Sequence, residues 1–317
     1  MRASFFLLVS FWLMVTAAAA QTFSGTITNA ATQAGLPYVN IGVVGKALGT
    51  VSTEQGAYRL AFQEALANDT VRVSSIGYQT RLLTLRQLRD RPNVTLIPGV
   101  SLQEVQVQGK SLFRRNLTLG NTTNSLTSNL NLNTKDLGAE IGTVISIKRR
   151  PTRVLTANFN VSYNKVGPLA FRVNFYRLDK RGRPTETKLL PRDIIVRSAV
   201  KTGTISVDLT NERLVVDEDF FLALEWIPNT GEAVSGGLPA QARKFTAKIK
   251  KSVNKLGGDA PTAPPQTHDL AFSLSVGYVN NDLYLRSTSQ ARWERVSLGA
   301  RLMGLQPRIS FFVTAQD

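Results

Sequence analysis

The strongest signal in this chain is an alternation of apolar and polar residues. Leu155, Ala157, Phe159, Val161 and Tyr163 alternate with Thr156, Asn158, Asn160 and Ser162. After Gly167-Pro168, Leu169, Phe171, Val173 and Phe175 alternate with Ala170, Arg172, Asn174 and Tyr176. Successive side chains of a strand point to opposite faces, so period two over this length predicts strands with one buried face. The same rule selects 205–209, 270–278 and 309–315, and shorter runs at 144–148, 194–200, 283–286 and 293–297. Residues 220–227 are apolar on both faces except at Glu225, the pattern of a central strand covered on each side. Together these runs make about nine strands, the number of a two-sheet sandwich.

Residues 21–99 read differently, as short strands at 23–28, 38–44, 57–62, 70–75 and 93–97 with Gly35, Gly45, Gly49, Gly56 and Gly77 between or at the ends of the runs. That spacing predicts a small β-sandwich with glycine at its tight turns. Phe23-Ser24-Gly25-Thr26-Ile27, Gly35-Leu36-Pro37-Tyr38-Val39-Asn40-Ile41, the run from Gly49 to Tyr58, and Ser74-Ser75-Ile76-Gly77-Tyr78 follow one another in order. This series resembles the carboxypeptidase regulatory-like domain family over about residues 22–99. The resemblance implies a seven-stranded, immunoglobulin- or transthyretin-like sandwich. It also implies a non-catalytic module of the kind found beside zinc carboxypeptidases and at the N-termini of TonB-dependent outer-membrane receptors. Where the family hairpin usually has an acidic or amide residue this chain has Ser52 or Thr53, which is expected to weaken the turn. The C-terminal part is architecturally similar to jelly-roll accessory and lectin-like domains. The fold class read from the sequence is therefore all-β: a regulatory-like sandwich at 21–99, then a second, antiparallel jelly-roll-like sandwich at 135–317.

Between them, 100–134 reads as a linker with a short strand. Its stretch 116–134 is rich in Asn, Thr, Ser and Leu without charge. Leu102-Gln103-Glu104-Val105-Gln106-Val107 is similar to the strand that follows the sandwich in receptors, where β-augmentation by a partner is possible; Glu104, Val105 and Val107 are the partner-strand candidates. A simple closing strand is the plainer reading. Residues 229–268 interrupt the second sandwich with Gly236-Gly237, a lysine-rich stretch and prolines, and read as a basic loop.

The first twenty residues change the picture of compartment. Arg2, the apolar run 5–15 and Ala18-Ala19-Ala20 have the layout of a cleavable signal peptide, too short to span a bilayer. An exported protein of a Gram-negative envelope is expected, in the periplasm, associated with the outer membrane or at the cell surface, with no transmembrane segment once the signal is removed. There is no cysteine, so packing rather than disulfides must stabilise it. The formal charge is +16, or +15 without Arg2. That suits an acidic partner, and export together with the lack of a nucleic-acid motif directs the expectation to envelope proteins or anionic glycans rather than nucleic acid.

Candidate chemistry is sparse. His268 is the only histidine and forms no H-x-x-E motif, so a zinc peptidase site, which needs three protein ligands, is not expected, nor is any other metal or cofactor. Lys201-Thr202-Gly203 and Ser252-Val253-Asn254-Lys255 match penicillin-binding motifs in the wrong order and read as turn and loop residues. Asp208, Asp217, Glu218, Asp219 and Glu225 leave a carboxylate-dependent hydrolase open as an alternative, the plainer reading being a charged turn with Glu225 paired to an arginine. Trp226 reads as core. Tyr176, on the polar side of its strand, and Trp293 are the candidates for a sugar-stacking surface, and Lys248, Lys250 and Lys251 for anion binding. The function expected is non-enzymatic binding or scaffolding, with a carbohydrate-binding module as the first alternative.

Overall fold

The computed structural model describes residues 21–99, 113–126, 128–132, 136–229, 270–278, 282–296 and 305–317. The chain is all-β, with one short α-helix (Leu85–Asp90) and two 3₁₀ turns among the described residues. Among the described residues no helix is long and apolar enough to cross a membrane.

The N-terminal sandwich has seven strands. Gln21–Asn29 pairs antiparallel with Ala57–Phe62 and parallel with Val94–Leu96 in one sheet. The other sheet orders Gly49–Val51, Asn40–Val43, Thr70–Ser74 and Arg81–Thr84. Their inner faces meet around Ile27, Val39, Ile41, Tyr58, Leu60, Val71, Val73 and Leu88. Alternation placed five of these strands. It missed Gly49–Val51, which has a single apolar side chain, and Arg81–Thr84, whose two leucines are adjacent, so neither alternates.

The second unit packs a seven-stranded sheet on an eight-stranded one around a single large apolar core. Leu169, Phe171, Val173 and Phe175 point into this core, as does Phe159, which meets Phe311 edge-on with ring centroids 4.8 Å apart. The longest strand, Thr152–Asn164, departs from simple alternation. A bulge between Val154 and Thr156 against Phe311–Gln316 shifts its phase, so Val154 and then Ala157, Phe159 and Val161 face inward. Leu155, expected inward, is only half-buried because it is the extra residue of the bulge, while Ala157, Phe159 and Val161 keep the expected inward phase.

Two features correct the linker expectation. Asn116–Gly120 pairs with the last strand, Phe311–Gln316, and Asn129–Leu132 pairs with Leu270–Gly277, so both belong to the second sandwich. Residues 121–125 cover the outer face of the eight-stranded sheet. There Asn160 Nδ2 donates to the Thr122 and Thr123 carbonyls (3.2 and 3.1 Å), and Ser162 Oγ to the Ser125 carbonyl at 2.6 Å. The polar side of that strand is therefore buried and hydrogen-bonded, as buried polar groups must be. The basic loop at 229–268, apart from residue 229, and the partner-strand residues Glu104, Val105 and Val107 lie outside the described residues.

Candidate functional site

The polar side of the second unit's seven-stranded sheet is buried as well. Four neighbouring strands bring one row of charges into register: Arg172 opposite Glu225, Glu225 opposite Glu140, and Glu140 opposite Arg286. Cross-strand partners on one face lie close enough for their side chains to meet. All four of these side chains are at most 2% exposed. Isolated charges would be expelled from such a place, so each must be paired.

The pairing is extensive. Arg172 Nη1 donates to Glu225 Oε2 at 2.8 Å, and its Nε lies 3.2 Å from Asp193 Oδ2 as an ion-pair contact without hydrogen-bond geometry. Arg286 donates Nε and Nη2 to Glu140 Oε1 (2.9 and 2.6 Å) and Nη1 to both oxygens of Glu186 (2.7 and 2.8 Å). Asn174 sits between the two glutamates, donating to Glu140 at 3.2 Å and to Glu225 at 3.0 Å. Tyr176 accepts from Arg286 Nη2 at 2.9 Å and donates to Glu140 Oε2 at 2.8 Å. Burial pushes the Glu140 carboxyl above its ordinary range against the attraction of Arg286. Burial also raises the Tyr176 phenol, and the neighbouring Glu140 adds to it. It works against charge on Arg172, yet Glu225 and Asp193 outweigh it and hold that guanidinium firmly protonated.

The N-terminal sandwich closes over one end of this row. Arg172 Nη2 donates to the Tyr38 carbonyl, and Arg197 donates to the Tyr38 hydroxyl at 2.6 Å and to Glu54 at 3.1 Å. Asn40, with its amide turned to suit both neighbours, donates to Glu225 Oε1 at 2.6 Å and accepts from Arg172 Nη1 at 3.0 Å. Tyr38 and Val51 pack on Ala170 and Ile227. Gly42 and Gly49 permit the approach: a Cβ on Gly42 would lie 2.9 Å from Gln290 Cγ, and one on Gly49 3.0 Å from Thr288 Cγ2. Beside this contact lies a cleft of about 230 Å³, lined from one unit by Asn40, Arg72, Ser74 and Thr80 and from the other by Lys188, Asp193, Ser289 and Gln290.

The sequence candidates fall in different places. Tyr176 lines the cleft but is 1% exposed with its hydroxyl committed, so it presents no open ring for stacking. Trp293 is half-buried, its indole covered by the Arg286 guanidinium 4.2 Å from the ring centroid. Trp226 is core, edge-on to Phe171. The acidic residues do not converge. Asp208 accepts from Thr210 N, Asp219 accepts from Ile147 N, Asp217 is exposed, and Glu225 is held by Arg172. Among the described residues no group of His, Cys, Asp or Glu is arranged to hold a metal ion. Lys248, Lys250, Lys251 and His268 lie outside the described residues.

Sequence reasoning missed Glu140, Arg286 and the roles of Arg172 and Asn40. A signal existed: a glutamate in the most apolar strand requires a buried cation on a neighbour, and Arg172 and Arg286 are arginines within or at the end of such strands.

These features define an all-β protein of two sandwiches joined over a buried ion-pair row in the second. Residues 23–107 match the family model of the CarboxypepD_reg-like domain, so the N-terminal sandwich is a domain of that kind and the match runs eight residues past the expected boundary. No curated protein matches the chain. Among solved structures it is similar to the cysteine protease and lectin-like domains of Cwp84, a surface-layer-associated protein of Clostridium difficile. That likeness is 11% identical with a TM-score of 0.33, over 56% of this chain and 32% of that one. It is also similar to a clostridial cysteine protease, a variant of Cwp84 after propeptide cleavage (10% identity, TM-score 0.38, 88% of this chain and 65% of that one). The chain thus spans less than two thirds of the length of either.

Proposed function

We propose that this is an exported, non-enzymatic binding or scaffolding protein of a Gram-negative cell envelope, in which the two sandwiches act as one rigid platform. The observation that carries the reading is the charge row. Its two glutamates, which in a hydrolase would face each other across substrate, are each consumed by an arginine and an amide beneath the domain contact. A buried ion pair contributes little net stability over apolar packing, but it strongly disfavours arrangements that leave a charge unpaired, and so fixes one geometry. The signal-like residues 1–20 support export, and the cleft at the junction offers polar walls from both units.

The test is a binding screen of purified residues 21–317 against glycans and envelope components, run beside peptidase and glycosidase assays. Saturable binding without turnover is expected. Hydrolysis of a peptide or glycan that disappears on a single substitution would overturn the reading.

A further inference from the structure

Resting on the binding reading above, we propose that a groove running from the junction cleft across the outer face of the N-terminal four-stranded sheet is a docking site for an extended acidic peptide. The cleft of about 230 Å³ and a neighbouring depression of about 620 Å³ share Arg72 and Thr80 in their linings, so they form one groove. Strand register orders its floor. Arg72 pairs with Leu82, Ser74 and Thr80 lie in the next row on one side, and Thr70 lies toward Val44 on the other.

Charge decides what fits. On the facing wall Glu186 is spent on Arg286, and Asp193 on Arg172 and Lys188. In the depression Lys46 and Asp69 offset each other at 4.0 Å. The Arg72 side chain alone of these has no hydrogen-bond or ion-pair partner among the described residues, and an uncompensated guanidinium selects a carboxylate. Ser74, Ser75 and Thr80 add side-chain hydroxyls that make no hydrogen bond among the described residues. Beside the cation Leu82, directly across from Arg72, and Val44, one row on, are 60% and 49% exposed.

A peptide satisfies all three features better than a sugar. An acidic side chain and an aliphatic one two residues away share a face of an extended chain at about 7 Å, the spacing from the row of Arg72 to the row of Thr70 beside Val44. A glycan would favour an open aromatic face, whereas Tyr176, the aromatic of the cleft, is buried.

The experiment is fluorescence anisotropy on the purified chain with a labelled octapeptide in which serines separate alternating valine and glutamate. The control replaces both glutamates by glutamine. The acidic peptide should bind about ten-fold tighter than the control, the difference one charge-assisted contact supplies. Arg72→Gln should erase that preference, Arg72→Lys should keep part of it, and Leu82→Ser should weaken both peptides, with circular dichroism melting confirming that the variants fold. Absence of peptide binding, equal affinities, or a preference untouched by Arg72→Gln would overturn the proposal. Glycan binding indifferent to Arg72→Gln would also overturn it while leaving the broader binding reading intact.

Discussion

Ser52 or Thr53 stands where the family hairpin usually carries an acidic or amide residue, and both are buried; the role of Ser52 is the clearer one. Its hydroxyl accepts from Val39 N at 2.8 Å and donates to the Leu36 carbonyl at 2.9 Å, clamping the segment that holds Tyr38 at φ +54°. A bulky residue in the left-handed region needs such a constraint. The serine thus ties the Leu36–Val39 segment down. Ser52→Ala leaves two backbone groups unpaired in the core and should cost about 1–3 kcal/mol in denaturant unfolding. Tyr58 offers a test by pH. Its hydroxyl donates to the Pro92 carbonyl at 2.6 Å, and burial raises the phenol well above its ordinary value. The folded state therefore keeps a proton that the unfolded chain loses near pH 10. The contribution is complete below that pH and is lost as pH rises further. Stability measured from pH 8 to 11 should fall more steeply for the wild-type chain than for Tyr58→Phe; parallel slopes would refute the assignment.

At the level of strands, alternation located most of the elements and failed where the chain departs from period two. The phase shift at residue 155 makes a discriminating pair of substitutions. Leu155→Thr should cost about 1 kcal/mol or less, because the side chain lies outside the apolar core, whereas Phe159→Ala should cost about 3–5 kcal/mol. If Leu155→Thr were the more damaging of the two in thermal melts, the bulge would be misplaced. The polar faces of Thr152–Asn164 and Leu169–Leu178 look solvent-facing in sequence because asparagine, serine and arginine alternate with apolar residues. One is covered by residues 121–125 and the other by the charge row and the N-terminal unit. Period two reports that two faces differ; it does not report what covers the second one.

Over the whole molecule, Arg172 joins the two sandwiches, because one guanidinium serves Glu225 in its own sheet and the Tyr38 carbonyl across the junction. Arg172→Met strands Glu225 without its cation and should destabilise by about 3–5 kcal/mol, while adding Glu225→Met should restore much of the loss. The same substitution removes a tie between the units, so calorimetry should show one cooperative transition in the wild-type chain and two in Arg172→Met. A single transition in both would mean that the apolar contact of Tyr38, Val51, Ala170 and Ile227 suffices to couple them.

The sequence by itself determined the all-β class, the regulatory-like first sandwich and the apolar faces of the second, because strand period and turn glycines are local properties written in neighbouring residues. It also carried Glu225 as an anomaly that demanded an arginine. Only the tertiary structure decided which arginine. Arg172, Glu225, Glu140 and Arg286 stand in one row because four strands distant in sequence align in register, and Asn40 and Tyr38 reach that row because two glycines let the units meet. Register and docking arise from pairings between segments far apart in the chain, and no window of sequence contains them.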